Sequence, residues 1–216
     1  VEWEYDACDH WGPVDEVSVN TLSQGNHIEW VFEHGFNPYD PGTGPTPPPA
    51  TGEWYYYDDG VNVDAIGLTA GGSFYWGVMF PAGSYTGNMV TKVSMYDYSA
   101  HTGTILVYQG GTTAPGSLVG QQTYACTGSN DFVEWEFATP ATIDPTQNLW
   151  IVMNNNGGQY VASCCNNTGN ANGRWISLDG AAWEDVATYG LDYTWMLRAY
   201  VAGGAKGEPQ VLTYNG

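Results

Sequence analysis

The sequence predicts an all-β protein, built mainly as a two-sheet jelly-roll sandwich with a short β segment before it. Three observations support this prediction. Short apolar or alternating runs recur along the chain, Gly-rich turn signals separate them, and no segment keeps the 3.6-residue apolar period of a helix. Many short strands in close succession are typical of sandwiches and jelly rolls.

The main domain is predicted to span residues 53–203. Residues 133–137 alternate, with Val, Trp and Phe on one face and two Glu on the other. Residues 149–153 are apolar throughout, as expected of a strand that is buried on both faces. We expect strands at residues 54–57, 74–80, 90–96, 104–108, 118–124, 133–137, 149–153, 160–163, 175–177 and 195–201.

Separate segments are predicted on both sides of this domain. Residues 1–36 are expected to form a partial β domain, in which residues 14–32 read as two short strands joined by a turn. Residues 37–52 are rich in Pro and Gly, a composition typical of an extended linker. The tail, residues 204–216, contains one strand-like stretch and is expected to resume the domain that residues 1–36 begin.

The charge of the chain limits its partners. It has 23 acidic residues against four Lys and Arg, and its net charge is -19. Such a surface repels nucleic-acid phosphates and anionic lipid headgroups, so we expect neither nucleic-acid binding nor membrane insertion. Excess carboxylate favours divalent cations, although charge alone also keeps a protein soluble. We expect a piece of a longer secreted polypeptide whose other modules are partners.

The four cysteines show neither a CxxC motif nor the Cys/His spacing of a zinc site. In an oxidising compartment we expect Cys126 to pair with Cys164 or Cys165, which would brace two strands against each other. Because adjacent cysteines cannot both reach one partner, the remaining thiol would pair with Cys8 or stay free. Free buried thiols are the alternative.

No catalytic signature is present. The sequence lacks a GxSxG elbow, an HExxH motif and a P-loop. The acidic pairs Asp58-Asp59 and Glu184-Asp185 are the candidates for a glycosidase, but neighbours on a strand point to opposite faces of the sheet. We therefore expect a chain without enzymatic activity.

The aromatic content points to ligand binding. Ten Trp and 16 Tyr exceed what the core of one sandwich needs. Sugar recognition uses flat rings beside amide and carboxylate groups, and the loops at residues 154–160 and 166–175 combine these types. The alternative is a core aromatic cluster with turn-forming Asn and Gly. The candidate ligand-binding residues are Asn155, Tyr160, Asn167, Asn172, Trp175 and Trp183.

A series of blocks runs through the main domain. It opens with Tyr-Asp-Asp-Gly-Val-Asn-Val-Asp at residues 57–64, continues with Val-Tyr-Gln-Gly-Gly-Thr-Thr-Ala-Pro-Gly at 107–116 and Trp-Ile-Ser-Leu-Asp-Gly at 175–180, and closes with Tyr-Gly-Leu-Asp-Tyr-Thr-Trp at 189–195. These blocks resemble the jelly-roll adhesin modules of the gingipain and haemagglutinin type, also called cleaved-adhesin-like, of multidomain bacterial surface proteins. Residues 14–32 are similar to the fibronectin-III-like strands that precede such modules.

The resemblance implies a non-catalytic adhesion module that is extracellular or on the cell surface. Its ligand would be a host or matrix protein, or a glycan, and calcium is a common structural ion in such modules. The alternatives are a carbohydrate-binding module of a secreted polysaccharide-degrading enzyme, and a structural spacer or filament subunit. The D-x-D-G-D calcium run of many such modules is absent here, so their metal site cannot be carried over directly.

A calcium site of a different kind is predicted at one rim of the sandwich. The first and last strands of a jelly roll commonly pair antiparallel, which would bring Asp58 and Asp59 next to Asp192. Three carboxylates, with carbonyls from the following turn, would supply the oxygen ligands that calcium prefers. The alternative is that Asp58 and Asp59 only form an Asx-type turn before Gly60.

Overall fold

The computed structural model describes residues 51–203 and the backbone of two strands before them, β1 (Val17–Thr21) and β2 (Ile28–Phe32). The chain divides into two compact units, Val1–Pro48 and Pro49–Gly216. In the first unit, β1 and β2 pair antiparallel, with Val17 opposite Phe32, which confirms the predicted strand pair. The linker before residue 51, the predicted strand of the tail and Cys8 lie outside the described residues.

The second unit consists of strands and two single-turn 3₁₀ helices, at Ala171–Gly173 and Val186–Tyr189. Among the described residues, no helix is long and apolar enough to cross a membrane. The strands in chain order are β3 (Gly52–Tyr55), β4 (Asp64–Ile66), β5 (Tyr75–Phe80), β6 (Met89–Tyr96), β7 (Ala100–Gln109), β8 (Ser117–Thr127), β9 (Phe132–Thr142), β10 (Leu149–Asn155), β11 (Ala162–Asn166), β12 (Trp175–Ser177), β13 (Glu184–Asp185), β14 (Tyr193–Trp195) and β15 (Leu197–Ala202).

The strand order is that of a jelly roll. One sheet has the order β13-β12-β5-β10-β7-β8 and the other has the order β3-β15-β6-β9. Eight strands form this arrangement: β3, β5, β6, β7, β8, β9, β10 and β15. Numbered one to eight in chain order, they lie in the orders 2-7-4-5 in the first sheet and 1-8-3-6 in the second, which is the jelly-roll arrangement. The predicted all-β jelly-roll sandwich is therefore confirmed.

The first and last strands of this unit pair as the sequence predicts. β3 and β15 are antiparallel neighbours, and Trp54 lies opposite Tyr200. β15 also pairs with β6, so it is held on both edges. A third, smaller sheet has the order β14-β11-β4.

The core fills the space between the two large sheets, and β10 is buried on both of its faces. Leu149, Ile151 and Met153 belong to the main core, whereas Trp150 and Val152 belong to a second cluster on the outer side of the six-stranded sheet. All five side chains have 0% exposure. The prediction of a doubly buried strand at residues 149–153 is confirmed.

The cysteines differ from expectation. Cys126, Cys164 and Cys165 are buried free thiols, so the predicted disulfide is not formed. Cys126 lies on β8 in the six-stranded sheet, opposite His101, whereas Cys164 and Cys165 lie on β11 in the three-stranded sheet. Burial raises the pKa of Cys164 to about 12 and that of Cys165 to about 11, which keeps both thiols protonated.

Candidate functional site

The outer side of the six-stranded sheet carries an apolar surface that we call the aromatic face. Its buried members are Met79, Trp150 and Val152, and five partly exposed side chains pack against them. The face arises from strand alternation, because β5, β7, β10 and β12 each direct one set of apolar residues into the core and a second set outward. The partly exposed members are Tyr75, Leu106, Tyr108, Trp175 and Trp183.

The register of the strands brings these side chains together. Val152 of β10 lies opposite Leu106 of β7 and Gly77 of β5, and Gly77 in turn lies opposite Trp175 of β12. A Cβ at residue 77 would come within 2.6 Å of the Ile151 carbonyl oxygen and 3.0 Å of the Val152 side chain. Glycine therefore permits the close approach of β5 and β10 under the aromatic face.

Trp150 forms the floor of the aromatic face. Its ring centroid is 5.2 Å from that of Trp175 and 5.9 Å from that of Trp183, with interplanar angles of 56° and 61°. Its indole Nε1 donates a hydrogen bond to the Gly111 carbonyl at 3.3 Å. Because Trp150 is fully buried while the other two rings are partly exposed, Trp150 supports them and they meet the solvent.

Trp183 is positioned by a loop that Asp179 organises. The carboxylate of Asp179 accepts hydrogen bonds from the backbone N–H of Ala181 at 2.8 Å and of Ala182 at 2.9 Å. These backbone bonds from Ala182 and Ala181 lower the pKa of Asp179. Trp183 Nε1 closes the loop with a 3.0 Å bond to the Gly180 carbonyl. The loop thus fixes the position of the Trp183 ring.

Two tyrosines extend the aromatic face. The ring of Tyr75 meets that of Trp183 edge-on at 6.4 Å. Burial raises the pKa of Tyr108, and the neighbouring Tyr75 adds to this effect. The Tyr108 phenol is therefore uncharged near neutral pH, where a phenol hydroxyl both donates and accepts hydrogen bonds.

A row of polar residues borders the aromatic face. In the register, Asn154 of β10 lies between Thr104 of β7 and Tyr75 of β5. The Asn154 amide Nδ2 donates to Ser73 Oγ at 2.9 Å and to the Phe74 carbonyl at 3.1 Å. These two bonds fix the amide and leave Oδ1 as an acceptor beside the tyrosine.

The structure brings together two of the six predicted ligand residues. Trp175 and Trp183 both lie on the aromatic face. Among the described residues, the buried Nε1 of Trp175 has no hydrogen-bond partner. Tyr160 is exposed but is not a member of the face, and its backbone carbonyl accepts a 3.1 Å bond from Ser99 Oγ.

The predicted asparagines bind their own chain instead. Asn155 has 0% exposure, accepts from the Phe74 N–H at 2.9 Å and donates to the Gly72 and Gly157 carbonyls. Asn167 accepts from the Gly169 N–H at 2.7 Å, and Asn172 lies in a 3₁₀ turn. The side chains of Asn155 and Asn167 thus accept from backbone N–H groups, as the alternative of turn-forming residues describes.

The three aspartates predicted to bind calcium do not form one site. The Asp58 carboxylate pairs with Arg198, and Asp192 accepts from Asn167 at 2.6 Å and from Arg174 at 3.2 Å. Asp59 accepts from the Val61 N–H at 2.9 Å, which is the Asx-type turn of the alternative. Within residues 51–203, no group of three or more His, Cys, Asp or Glu is placed to hold a metal ion. The described residues therefore do not fit calcium at this rim.

Several residues of the aromatic face were not predicted from the sequence, chiefly Tyr75, Tyr108 and Trp150. The apolar run at residues 149–153 was the sequence signal for this face. A strand that is buried on both faces requires side chains packed against each of them. Which strands flank β10, and hence which rings share its outer side, depends on pairings between distant parts of the chain.

No family model matches this chain, and no curated protein matches its sequence. Among solved structures, it is similar to the cysteine protease and lectin-like domains of Cwp84, a surface-layer-associated protein of Clostridium difficile, at 11% sequence identity and a TM-score of 0.45. The match covers 61% of this chain and 32% of that chain, so it spans about a third of the length of that protein chain. A likeness this distant assigns no role to any residue.

Proposed function

We propose that this chain is a non-catalytic binding module and that the aromatic face is its ligand surface. The observation that carries the proposal is a set of four partly exposed rings, those of Tyr75, Tyr108, Trp175 and Trp183, packed against a fully buried floor. Rings held in place by a sheet lose little conformational freedom when a ligand binds, which favours affinity. Apolar side chains with a few oriented polar groups are typical of ligand sites.

The acidic pairs support a non-catalytic role. Asp58 is engaged by Arg198, and Asp185 accepts from Arg174 Nε at 2.9 Å. Glu184 accepts a hydrogen bond from Thr188 Oγ1 at 3.1 Å. A glycosidase uses a carboxylic acid and a carboxylate that flank the scissile bond, whereas Asp58 and Asp185 are each paired with an arginine.

The setting that we propose is extracellular: adhesion by a secreted or surface protein of a bacterium, with a host or matrix protein or a glycan as the ligand. The blocks at residues 57–64, 107–116, 175–180 and 189–195 support this setting through their resemblance to adhesin modules. The low content of Lys and Arg supports the exclusion of nucleic acid as a partner.

A binding panel tests the proposal. The full chain is labelled and applied to immobilised matrix proteins and polysaccharides, beside the variants Trp183→Ala and Tyr98→Ala. Tyr98 is 42% exposed and lies outside the aromatic face, so it is the matched control. We expect binding that Trp183→Ala weakens and Tyr98→Ala leaves unchanged. Binding that both folded variants retain would exclude the aromatic face as the ligand surface.

A further inference from the structure

We infer that the aromatic face takes a neutral polysaccharide chain as its ligand; this inference rests on the proposed function and names the ligand class. The first support is the set of partly exposed rings. The flat faces of Trp and Tyr pack against the C–H groups of sugar rings, and the Tyr hydroxyls remain able to meet sugar hydroxyls.

The polar border supplies the second requirement of sugar binding. Thr104, Asn154 and Tyr75 lie next to one another in the register, beside the apolar part of the face. Because Asn154 Nδ2 is held by Ser73 and Phe74, its Oδ1 is a fixed acceptor for a hydroxyl donor.

The charges favour a neutral ligand over an anionic one. Each Lys and Arg side chain within residues 51–203 is already paired: Lys92 with Glu134 at 3.6 Å, Arg174 with Asp185 at 2.9 Å, and Arg198 with Asp58. Sulfates and uronates are recognised by free cations, and they would also be repelled by the net charge of -19. The members of the aromatic face include no Asp, Glu, Lys or Arg.

The size of the face favours a slender chain over a protein partner. Stable protein interfaces bury about 800 Å² on each partner and involve roughly 20–30 residues a side. The aromatic face offers five partly exposed side chains around a floor with no exposure. Five side chains are far fewer than the roughly 20–30 residues of a protein interface, and they are enough to pack against a few sugar rings.

The test is affinity electrophoresis and calorimetry with the full chain. The neutral probes are β-glucan, xylan and mannan; alginate and heparin are the anionic probes, and fibronectin and collagen are the protein probes. We expect a neutral polysaccharide to bind, with affinity unchanged between about 0.01 and about 1 M salt, because no ion pair is formed. Trp183→Ala is expected to weaken binding about tenfold, which corresponds to the loss of about 1.4 kcal/mol of stacking. Trp183→Phe is expected to retain most of the affinity and Tyr98→Ala all of it.

The outcomes separate the two proposals. Failure to bind any neutral polysaccharide overturns this inference. If Trp183→Ala instead weakens binding to an anionic polysaccharide or a matrix protein, the inference is overturned and the proposed function stands. If a neutral polysaccharide binds and folded Trp183→Ala and Tyr108→Ala variants bind it as well as the parent chain does, both proposals are overturned.

Discussion

Arg198 and Asp58 form a two-point ion pair that joins the last strand of the jelly roll to the end of the first. Arg198 Nε donates to Asp58 Oδ2 at 3.1 Å and Nη2 donates to Oδ1, while the Asp58 side chain has 0% exposure. The guanidinium also lies 3.7 Å from the ring centroid of Phe132 and 4.6 Å from that of Tyr56. One side chain thus connects β15 with the end of β3 and the start of β9.

Removing Arg198 is expected to destabilise the fold. Arg198→Ala leaves a buried carboxylate without its partner, which costs about 3–5 kcal/mol of unfolding free energy. Arg198→Lys keeps the charge but loses the two-point geometry and the ring stacking, so we expect a smaller cost of about 1–3 kcal/mol. Urea unfolding measures the loss of unfolding free energy in both variants. The control is Lys92→Ala, which breaks the more exposed pair with Glu134 and should cost less than about 1 kcal/mol. Equal losses for Arg198→Ala and Lys92→Ala would refute the role of the pair.

The stability of the fold is expected to fall at mildly acidic pH because of His101. Its Nδ1 lies 2.7 Å from the Ser99 carbonyl oxygen, and its buried Nε2 has no partner among the described residues. Burial lowers its pKa, against smaller raising effects of Ser99 and Asp97. The unfolded chain therefore takes up a proton near pH about 6.5 while the folded chain does not. The contribution of neutral His101 to the free energy of unfolding is fully present above that pH. It is lost as the pH falls towards the lower pKa of His101 in the folded chain.

His101→Phe should remove this part of the pH dependence. Denaturant unfolding of both chains between pH about 7 and about 5 measures it. We expect the free energy of unfolding to fall more steeply for the parent chain than for the variant. Asp97 does not affect the comparison, because it titrates at more acidic pH. Burial alone would raise the pKa of Asp97, but the N–H groups of Thr127, Ser129 and Gly128 lower it. Identical slopes for the two chains would contradict the assignment to His101.

Asp179→Ala is expected to weaken ligand binding without a large loss of stability. The substitution removes the acceptor of the Ala181 and Ala182 N–H groups and frees the loop that holds Trp183. Asp144→Ala is the matched control. The Asp144 carboxylate accepts a hydrogen bond from the Thr146 N–H at 2.9 Å in an equivalent local turn, and Asp144 lies outside the aromatic face. The measurement is the binding panel with a thermal melt of each variant. A loss of affinity in Asp144→Ala as large as that in Asp179→Ala would contradict the role of the loop.

The thiols of Cys126, Cys164 and Cys165 should be unreactive in the native protein and reactive after denaturation without a reductant. All three are buried and free, and burial raises their pKa values. Alkylation before and after denaturation, followed by peptide mapping, measures each site. A peptide that links Cys126 to Cys164 or Cys165 would show that the disulfide predicted from the sequence forms after all.

The sequence predicts the sandwich better than the site because strand patterns are local. Alternation at residues 133–137 and the doubly apolar run at 149–153 each depend on neighbouring residues, and both correspond to strands of the fold. The pairing of the first and last strands also followed from the fold class. The sequence predicted Asp58 at the rim beside Asp59 and Asp192, whereas its partner in the structure is Arg198. Arg198 is 140 residues away, and no local pattern connects the two.

The ligand residues show the same limit. Trp175 and Trp183 were proposed as ligand-binding residues, and the structure places both on the aromatic face. Asn155 and Asn167 bind backbone groups instead, because a turn uses an Asn amide to bind backbone in the same way that a site uses it to bind a hydroxyl. Sequence alone does not distinguish these uses, whereas the bonds of Asn155 to Phe74, Gly72 and Gly157 do.

Oxidative footprinting of the full chain tests the central claim most directly, namely that the aromatic face is the ligand surface. The chain is oxidised with and without a saturating amount of the polysaccharide or matrix protein that the binding panel identifies, and each Trp and Tyr is quantified. We predict protection of Tyr75, Tyr108, Trp175 and Trp183, and unchanged oxidation of the exposed Tyr98, Tyr160 and Tyr189. Protection of Tyr160 or Tyr189 with an unchanged aromatic face would contradict the account.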